Sequence, residues 1–552
     1  MQSSGGRRAL VAAVLALGAT SIVTPGARSQ APDPGAGPGV DPAAAPAADP
    51  LADAGAPPPP TTDDDDEGDD GGMALPVAPA DPAARKAWIA TGLEQALAAT
   101  PALARAAIGA TVVDVTTGEV LWSHDADRAL SLASVQKVLT TTAALRTLGP
   151  AFRWRTTIYG EKFDAATGTV DGDLIVRGRG DPTLTNRDLA TLVRDLRWRG
   201  VEYVTGDLVF DGSYFDDVEE PPRYADQPKE RAGFRAPIGA ASLERNAVTV
   251  IVVPDRIGLG LAAVSLDPPA SDHVRLIEDD VVTVDTGRTR IAVSTEVKKD
   301  HLELRVSGQI AAADGVYFAR RRIDDPVAQF GEALRAALVD AGIRVRGKGI
   351  RRRAIAPTDK VVVLAEHDSA PLAEVVRDMV KSSDNYLAET VLKTMGAEAR
   401  AAAGGGPGSW ADGVAVVQAM LAEVGVAPGS VRVENGSGLY DATSVPASAV
   451  AKVLAAAWRD FRVGPELASA LAIGGVDGTL RRRFGGPAVR GRVRGKTGTL
   501  AAVSSLAGLV GVDGLRPLAF VVLVNELPPG TRPDAKHLQE IVASYALAYA
   551  TP

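Results

Sequence analysis

Three short strings follow one another along the chain: Ser134-Val135-Gln136-Lys137, then Ser383-Asp384-Asn385, then Lys496-Thr497-Gly498-Thr499. Their side chains are the parts of an acyl-transfer site. A serine hydroxyl is a poor nucleophile at neutral pH and needs a base within hydrogen-bond reach of its Oγ. Lys137 lies three residues beyond Ser134, so on a helix the two side chains share a face. An ammonium that is desolvated or crowded by another cation loses its proton more readily. Lys496, arriving from a strand, is the expected crowding cation. The second string supplies a hydroxyl from Ser383 and a carboxamide from Asn385. The third sets Thr497, Gly498 and Thr499, small enough to line a cleft, beside the cation.

Alone, a Ser-x-x-Lys string is an ordinary helix surface. Here each string occurs once, and their order makes the set specific. Other chemistries have less to stand on. The five histidines, His124, His273, His301, His367 and His537, show no paired ligand spacing, and no His-Glu-x-x-His string offers a zinc site. No metal and no cofactor is expected. Gly491-Arg492-Val493-Arg494-Gly495-Lys496-Thr497 has three residues between its glycines where a phosphate loop needs four, and a strand follows where a helix must. Asn435-Gly436-Ser437-Gly438-Leu439 lacks the first glycine of a nucleophile elbow and reads as a tight loop.

At 552 residues the chain exceeds what one hydrophobic core organises, so two or more domains are expected. The net charge of −9 is local: residues 31–80 hold eleven Asp and Glu and no Lys or Arg, and the remainder is close to neutral. A nucleic-acid groove would need a basic excess, and none exists. The runs Arg351-Arg352-Arg353 and Arg481-Arg482-Arg483 read as solvated faces. The chain has no cysteine, which excludes disulfides, thiolate metal sites and a cysteine nucleophile.

Arg7-Arg8, the apolar run Ala9 to Ala19 and the small-residue stretch Ala27-Arg28-Ser29 resemble an export signal over residues 1–29. The apolar run is too short to span a membrane. Whether the twin arginines specify the export route stays open. Residues 30–81, dominated by Ala, Pro, Gly and Asp, have too few large apolar side chains to offset ordering entropy and read as a disordered tether.

The elements that must position the three strings follow. Ala83 to Leu103 reads as a helix and Ile108 to Ser123 as a hairpin turning at Thr116-Thr117-Gly118. Val135, Val138, Leu139, Leu145 and Leu148 then mark a helix that stops at Gly149-Pro150, with Ser134 near its start. From about Arg153 to Val363 short β-rich runs take over (Gly172 to Arg177, Asp207 to Phe210, Ala247 to Val253, Leu302 to Val306), interrupted by one helical stretch at Leu189 to Trp198. Leu372 to Leu392 and Trp410 to Val424 are amphipathic helical patterns, and Ser383-Asp384-Asn385 falls where the first breaks or turns. The third string opens a strand, Ala507 to Val512 and Leu518 to Val524 alternate about a turn at Asp513-Gly514, and Ala535 to Tyr549 closes the chain as a helix.

With these residues in place, the chain over about 82–552 resembles the D-alanyl-D-alanine carboxypeptidase/endopeptidase family, peptidase family S13 of the low-molecular-mass, class C penicillin-binding proteins. Also carrying the resemblance are Gly180-Asp181-Pro182-Thr183-Leu184, Asn385-Tyr386-Leu387-Ala388-Glu389, Asn435-Gly436-Ser437-Gly438-Leu439 and Gly475-Val476-Asp477-Gly478-Thr479-Leu480. The long gap between Ser134 and Ser383 fits a family with two extra domains between its first and second motifs, unlike compact class A β-lactamases. Met379-Val380-Lys381 departs from the usual asparagine ahead of the lysine, which bears on local packing.

The resemblance implies an α/β (α+β) penicillin-binding/β-lactamase-like fold: an antiparallel sheet flanked by helices and a helical lobe, from 82–152 and 364–552, interrupted by two β-rich domains within 153–363. It implies that Ser134 attacks the penultimate D-alanine carbonyl of a peptidoglycan stem peptide and that Lys137 takes its proton. Ser383 would relay a proton to the departing amine, Asn385 would hold the substrate amide and Lys496 would keep the site electropositive. Thr497 and Thr499 would hold the terminal carboxylate, and the backbone N–H groups of Ser134 and Thr499 would form the oxyanion hole. β-Lactams would acylate Ser134, and the enzyme would work in the periplasm or cell envelope. A β-lactamase, a D-amino-acid esterase or amidase, and a non-catalytic peptidoglycan-binding protein are the alternatives. Oligomeric state is left open.

Overall fold

Apolar alternating runs near the two ends of the described chain pair with their sequence neighbours and, through one long-range pairing, with each other. In the computed structural model, which describes residues 75–551 except 357 and 513–515, they build a six-stranded antiparallel sheet. The strands are β1 (Ala107–Asp114), β2 (Val120–His124), β3 (Ala472–Ile473), β4 (Val493–Leu500), β5 (Val503–Val510) and β6 (Leu518–Asn525), in the order β2-β1-β6-β5-β4-β3. Every residue of β5 and β6 is buried, as befits central strands covered on both faces. Side chains alternate between those faces. Val522 and Val524 pack with Leu93 of helix α1 (Pro82–Ala98) and with Leu538 and Val542 of the closing helix Arg532–Ala550. Val521 and Leu523 pack into a helical lobe on the other side. The export signal at 1–29, the tether at 30–81 up to residue 74, and the turn at Asp513-Gly514 lie outside the described residues.

The lobe is built around α2 (Gln136–Thr147), whose residues from Gln136 to Leu145 are all buried. Around it stand α3 (Leu372–Lys381), α4 (Asn385–Ala402), α5 (Trp410–Glu423) and α6 (Ala447–Arg459). The pattern from Leu372 to Leu392 is therefore two helices, with Ser383-Asp384 between them. Helices α4 and α5 touch through glycine: a Cβ at Gly396 would lie 2.6 Å from the Ser409 carbonyl oxygen, and one at Gly413 would strike the Leu392 carbonyl oxygen.

Between α2 and α3 the chain leaves along Arg155–Gly160 and rejoins along Val362–Asp368, and these two strands pair antiparallel from Asp368 opposite Arg155 onward. This pair forms one seam; the insertion also meets the lobe through Phe215, Ala236 and Ile238, which share the lobe's core. The two seam strands belong to a five-stranded sheet completed by Leu174–Arg177, Leu208–Asp211 and Ile350–Arg352. Helices Asn186–Trp198 and Pro326–Asp340 share its core through Leu189, Leu192, Leu334 and Leu338. The second of these helices was not expected, although Asp325 caps it and Pro326 occupies its first turn. Within the insertion lie two further three-stranded sheets, around Ala247–Val253 and Leu302–Ala311, with their own core.

Other differences are local. Pro101 ends α1 early and restarts the chain as a short 3₁₀ turn, so Ala83 to Leu103 is not one helix. Strand β4 begins at Val493, which puts Lys496 inside it rather than at its start. Of the arginines expected on a solvated face, Arg483 is buried and donates to Glu540 at 2.8 Å. Met379 and Val380 are fully buried and Lys381 pairs with Asp477 at 2.6 Å. No helix among the described residues is long and apolar enough to cross a membrane.

The α4–α5 contact gives a first prediction. Gly413→Ala lowers the thermal unfolding midpoint, costing about 1–3 kcal/mol by overpacking, even though alanine is the better helix former. Gly212→Ala, where a Cβ meets open space, stays within about 0.5 kcal/mol of the parent.

Candidate active site

Ser134 sits in the 3₁₀ turn Ala133–Val135 that runs directly into α2. Its approach is fixed from several sides. Asn525, the last residue of β6, accepts from the Ser131 N–H at 2.8 Å and donates to the Ser131 carbonyl at 3.1 Å. The Leu132 N–H donates to Thr443 Oγ1 at 3.0 Å. Strand β4 closes in from the sheet: a Cβ on Gly498 would lie 2.5 Å from the Leu132 carbonyl oxygen and 3.1 Å from the Ser134 and Val135 nitrogens. Only glycine permits that approach.

One turn on, Lys137 is completely buried. Its Nζ lies 2.9 Å from Ser134 Oγ, 2.8 Å from Asn385 Oδ1 and 3.1 Å from the Ser437 carbonyl oxygen. Burial lowers its pKa from the ordinary lysine value to about 7, against the carboxylates of Glu389 and Asp384, which raise it. Of the two causes expected, desolvation and a neighbouring cation, desolvation is the largest.

The neutral amine has two hydrogens and one lone pair. Asn385 Oδ1 and the Ser437 carbonyl can only accept, so they take the two hydrogens, while of these three partners the Ser134 hydroxyl can donate. The lone pair is thereby turned toward the Ser134 proton.

The second string is placed by a helix start. Asp384 caps α4, its Oδ1 accepting the Leu387 N–H at 2.9 Å, and this sets Asn385 as the first helical residue. Ser383, half-buried, adopts a left-handed backbone with φ of 61° where two helices meet. Burial drives the Asp384 carboxyl up, but Arg245 and Arg320, with the Leu387 N–H and Lys137, hold the group below its ordinary value. Arg245 donates to Asp384 Oδ2 at 2.7 Å.

In the third string, Lys496 is fully buried and its Nζ donates to the Thr497 carbonyl at 2.7 Å. Residues two apart on a strand share a face, so Lys496 lies on the side of β4 from which Gly498 meets Ser134. Thr497 is half-buried, and its Oγ1 is 2.9 Å from Thr479 Oγ1. Thr499 follows Gly498, beside the Ser134 turn.

Two contributors went unread in the sequence as site residues. Glu389, buried in α4, accepts from the Gly436 N–H at 3.0 Å, the Ser437 N–H at 2.9 Å and Trp410 Nε1 at 3.0 Å. It thus fixes the loop that presents the Ser437 carbonyl to Lys137. The tight loop at Asn435-Gly436-Ser437-Gly438-Leu439 is itself part of the site: Gly438 has φ of 78°, and a Cβ there would strike the Ala133 carbonyl oxygen. The chain has no thiol to enter the cluster.

A serine and a buried lysine amine facing a carboxamide, walled by a Lys-Thr-Gly strand, define a serine peptidase of the penicillin-binding class. The chain belongs to the D-Ala-D-Ala carboxypeptidase 3 (S13) family, which matches residues 89–545. A D-alanyl-D-alanine carboxypeptidase of Actinomadura sp. (strain R39) is 31% identical over 471 residues, covering 82% of this chain and 83% of that one. The D-alanyl-D-alanine carboxypeptidase DacB of Haemophilus influenzae is 26% identical over 429 residues, covering 77% and 86%. In three dimensions the chain is similar to the crystal structure of penicillin binding protein 4 (dacB) from Haemophilus influenzae, with a TM-score of 0.65, 23% identity and coverage of 79% and 95%. The same fold was solved in complex with a β-lactam, at a TM-score of 0.62 and 24% identity.

The Glu389 contacts yield a second prediction. Glu389→Gln turns one acceptor oxygen into a donor facing N–H groups, which costs about 1–3 kcal/mol of stability. A lower thermal midpoint is expected; an unchanged one would show that the loop does not depend on this carboxylate.

Proposed function

We propose that the protein is a serine DD-peptidase of peptidoglycan, removing the terminal D-alanine of stem peptides and cutting D-alanine cross-links through an acyl-enzyme on Ser134. The observation that carries this reading is the Lys137 amine, 2.9 Å from Ser134 Oγ and committed by its other neighbours to accept that proton. Oγ attacks the penultimate D-alanine carbonyl as its proton passes to Nζ. The oxyanion forms against the backbone N–H groups of Ser134 and Thr499, a pairing supported by the contact of Gly498 with the Ser134 turn. Loss of one such donor generally costs ~10²–10³ in rate.

As the C–N bond breaks, the proton held by Lys137 returns through Ser383 to the departing amine. Asn385 orients Lys137 and holds the substrate amide. Lys496 makes the pocket electropositive, and Thr497 and Thr499 hold the terminal carboxylate. Water then attacks the ester and releases the shortened peptide. Penicillin presents a carbonyl to the same serine and is expected to acylate it. On this reading residues 82–152 and 364–552 form the catalytic domain, 153–363 are inserted domains, and the export-signal pattern at 1–29 directs the enzyme to the cell envelope.

Ser134→Ala abolishes covalent labelling by a fluorescent penicillin with no change in thermal midpoint; persistent labelling would mean a different nucleophile. Lys137→Met keeps the serine but slows acylation by ~10²–10⁴, the usual worth of a positioned base. In the parent enzyme the base must be neutral, so acylation is slow in acid, climbs about tenfold per pH unit and levels off above the Lys137 pKa of about 7. Purified cross-linked muropeptides, with products read by mass, should yield both free D-alanine and separated monomers.

A further inference from the structure

The segment Glu244-Arg245-Asn246 belongs to the insertion, far in sequence from all three strings. Its three residues have φ of 51°, 54° and 49°. Three successive non-glycine residues in left-handed backbone are uncommon and persist only where the surroundings over-determine them. Here they do. Glu244 accepts the Asn186 N–H at 2.8 Å through its side chain and an Arg320 N–H at 2.9 Å through its carbonyl. Asn246 donates to the Pro237 carbonyl at 2.8 Å and to Ser242 Oγ at 2.9 Å.

What this backbone presents is a brace on the two residues flanking Asn385. Arg245 reaches Asp384 Oδ2 at 2.7 Å, and Asn246 Nδ2 reaches Tyr386 Oη at 3.4 Å. Asp384 is the helix cap that sets Asn385 against Lys137. The charged groups around that amine are Asp384 and Glu389 from α4, Arg245 and Arg320 from the insertion across Asp384, and Lys496 on the facing strand. Tyr224, also from the insertion, lies 3.4 Å from Ser437 Oγ on the remaining side.

Resting on the reading of Lys137 as the base, we infer that Arg245 is a positioning residue supplied by the insertion: by pairing with Asp384 it holds Asn385 on Lys137 and stops an uncompensated carboxylate from acting on the amine. The insertion is on this account part of the catalytic device. Without Arg245 the Asp384 charge stabilises the protonated amine, so activity is lost selectively at acid pH.

The test is the pH dependence of acylation by a chromogenic penicillin, between about pH 5 and pH 10, for the parent, Arg245→Met, Arg245→Lys, Asp384→Asn and the double variant Arg245→Met/Asp384→Asn. Arg245→Met is expected to move the acid limb upward by about half a pH unit or more, a loss of about threefold or more near pH 6 that exceeds any loss on the alkaline plateau. Arg245→Lys keeps the charge and the parental midpoint. The double variant returns the midpoint toward the parent, because asparagine still caps α4 and carries no charge. Asp384→Asn alone moves the limb to more acid pH, which keeps the inference testable if Arg245→Met does not fold. An acid limb that is present in the parent and identical in Arg245→Met, or unmoved by Asp384→Asn, would overturn the inference alone. A parent without an acid limb would remove the underlying reading of Lys137.

Discussion

An amine without bulk solvent is the constraint on which this structure turns. An ammonium buried in the lobe would need three good acceptors and would still lose most of its hydration. Lys137 is offered two groups that only accept and one hydroxyl that can give a proton. A hydroxyl can also accept, so this allotment serves either form of the amine, and burial is what favours the neutral one. Burial does the electrostatic work, and hydrogen bonds only aim the result. A base poised near neutral pH is what an unactivated serine requires.

The rest of the fold can be read as what keeps that allotment in place. The acceptors come from positions 248 and 300 residues away in sequence, so helix α2 must be central to the lobe, and it is buried along most of its length. Asp384 starts the helix that carries Asn385; Glu389, one turn further, pins the loop that carries the Ser437 carbonyl. Both carboxylates oppose the lowering of the lysine. The site tolerates them because the same groups orient its two acceptors, and because Arg245 and Arg320 offset Asp384 from outside. Strand β4 completes the enclosure at a distance only glycine allows.

The sequence revealed most clearly those parts whose chemistry is written in side-chain type and short spacing. Ser134 and Lys137 are one helical turn apart, and the apolar positions of α2 are periodic, so both could be read directly. Asn385 and the Lys-Thr-Gly strand were found by order and resemblance. The strands of the sheet and its two hairpins were legible from alternation and turns, but the pairing that joins them was not, since β1 meets β6 across the length of the chain. Ser437 acts through a carbonyl oxygen, a group every residue has and no letter marks. Glu389 looks like any acid on an amphipathic helix until its N–H partners are seen. Charge is visible in a sequence and depth of burial is not, so the full burial of Lys137 and Lys496 could not be read. The helix Pro326–Asp340 had its cap and proline in plain view, yet the β-rich runs on either side outweighed them.

Burial should leave Lys137 largely neutral at physiological pH. Titrating it directly, by NMR of protein labelled at the lysine Cε positions with the resonance assigned through Lys137→Arg, tests this without reference to turnover. A midpoint near the value of about 7 that burial imposes is expected. A midpoint above about 10, that of an ordinary solvated lysine, would contradict it.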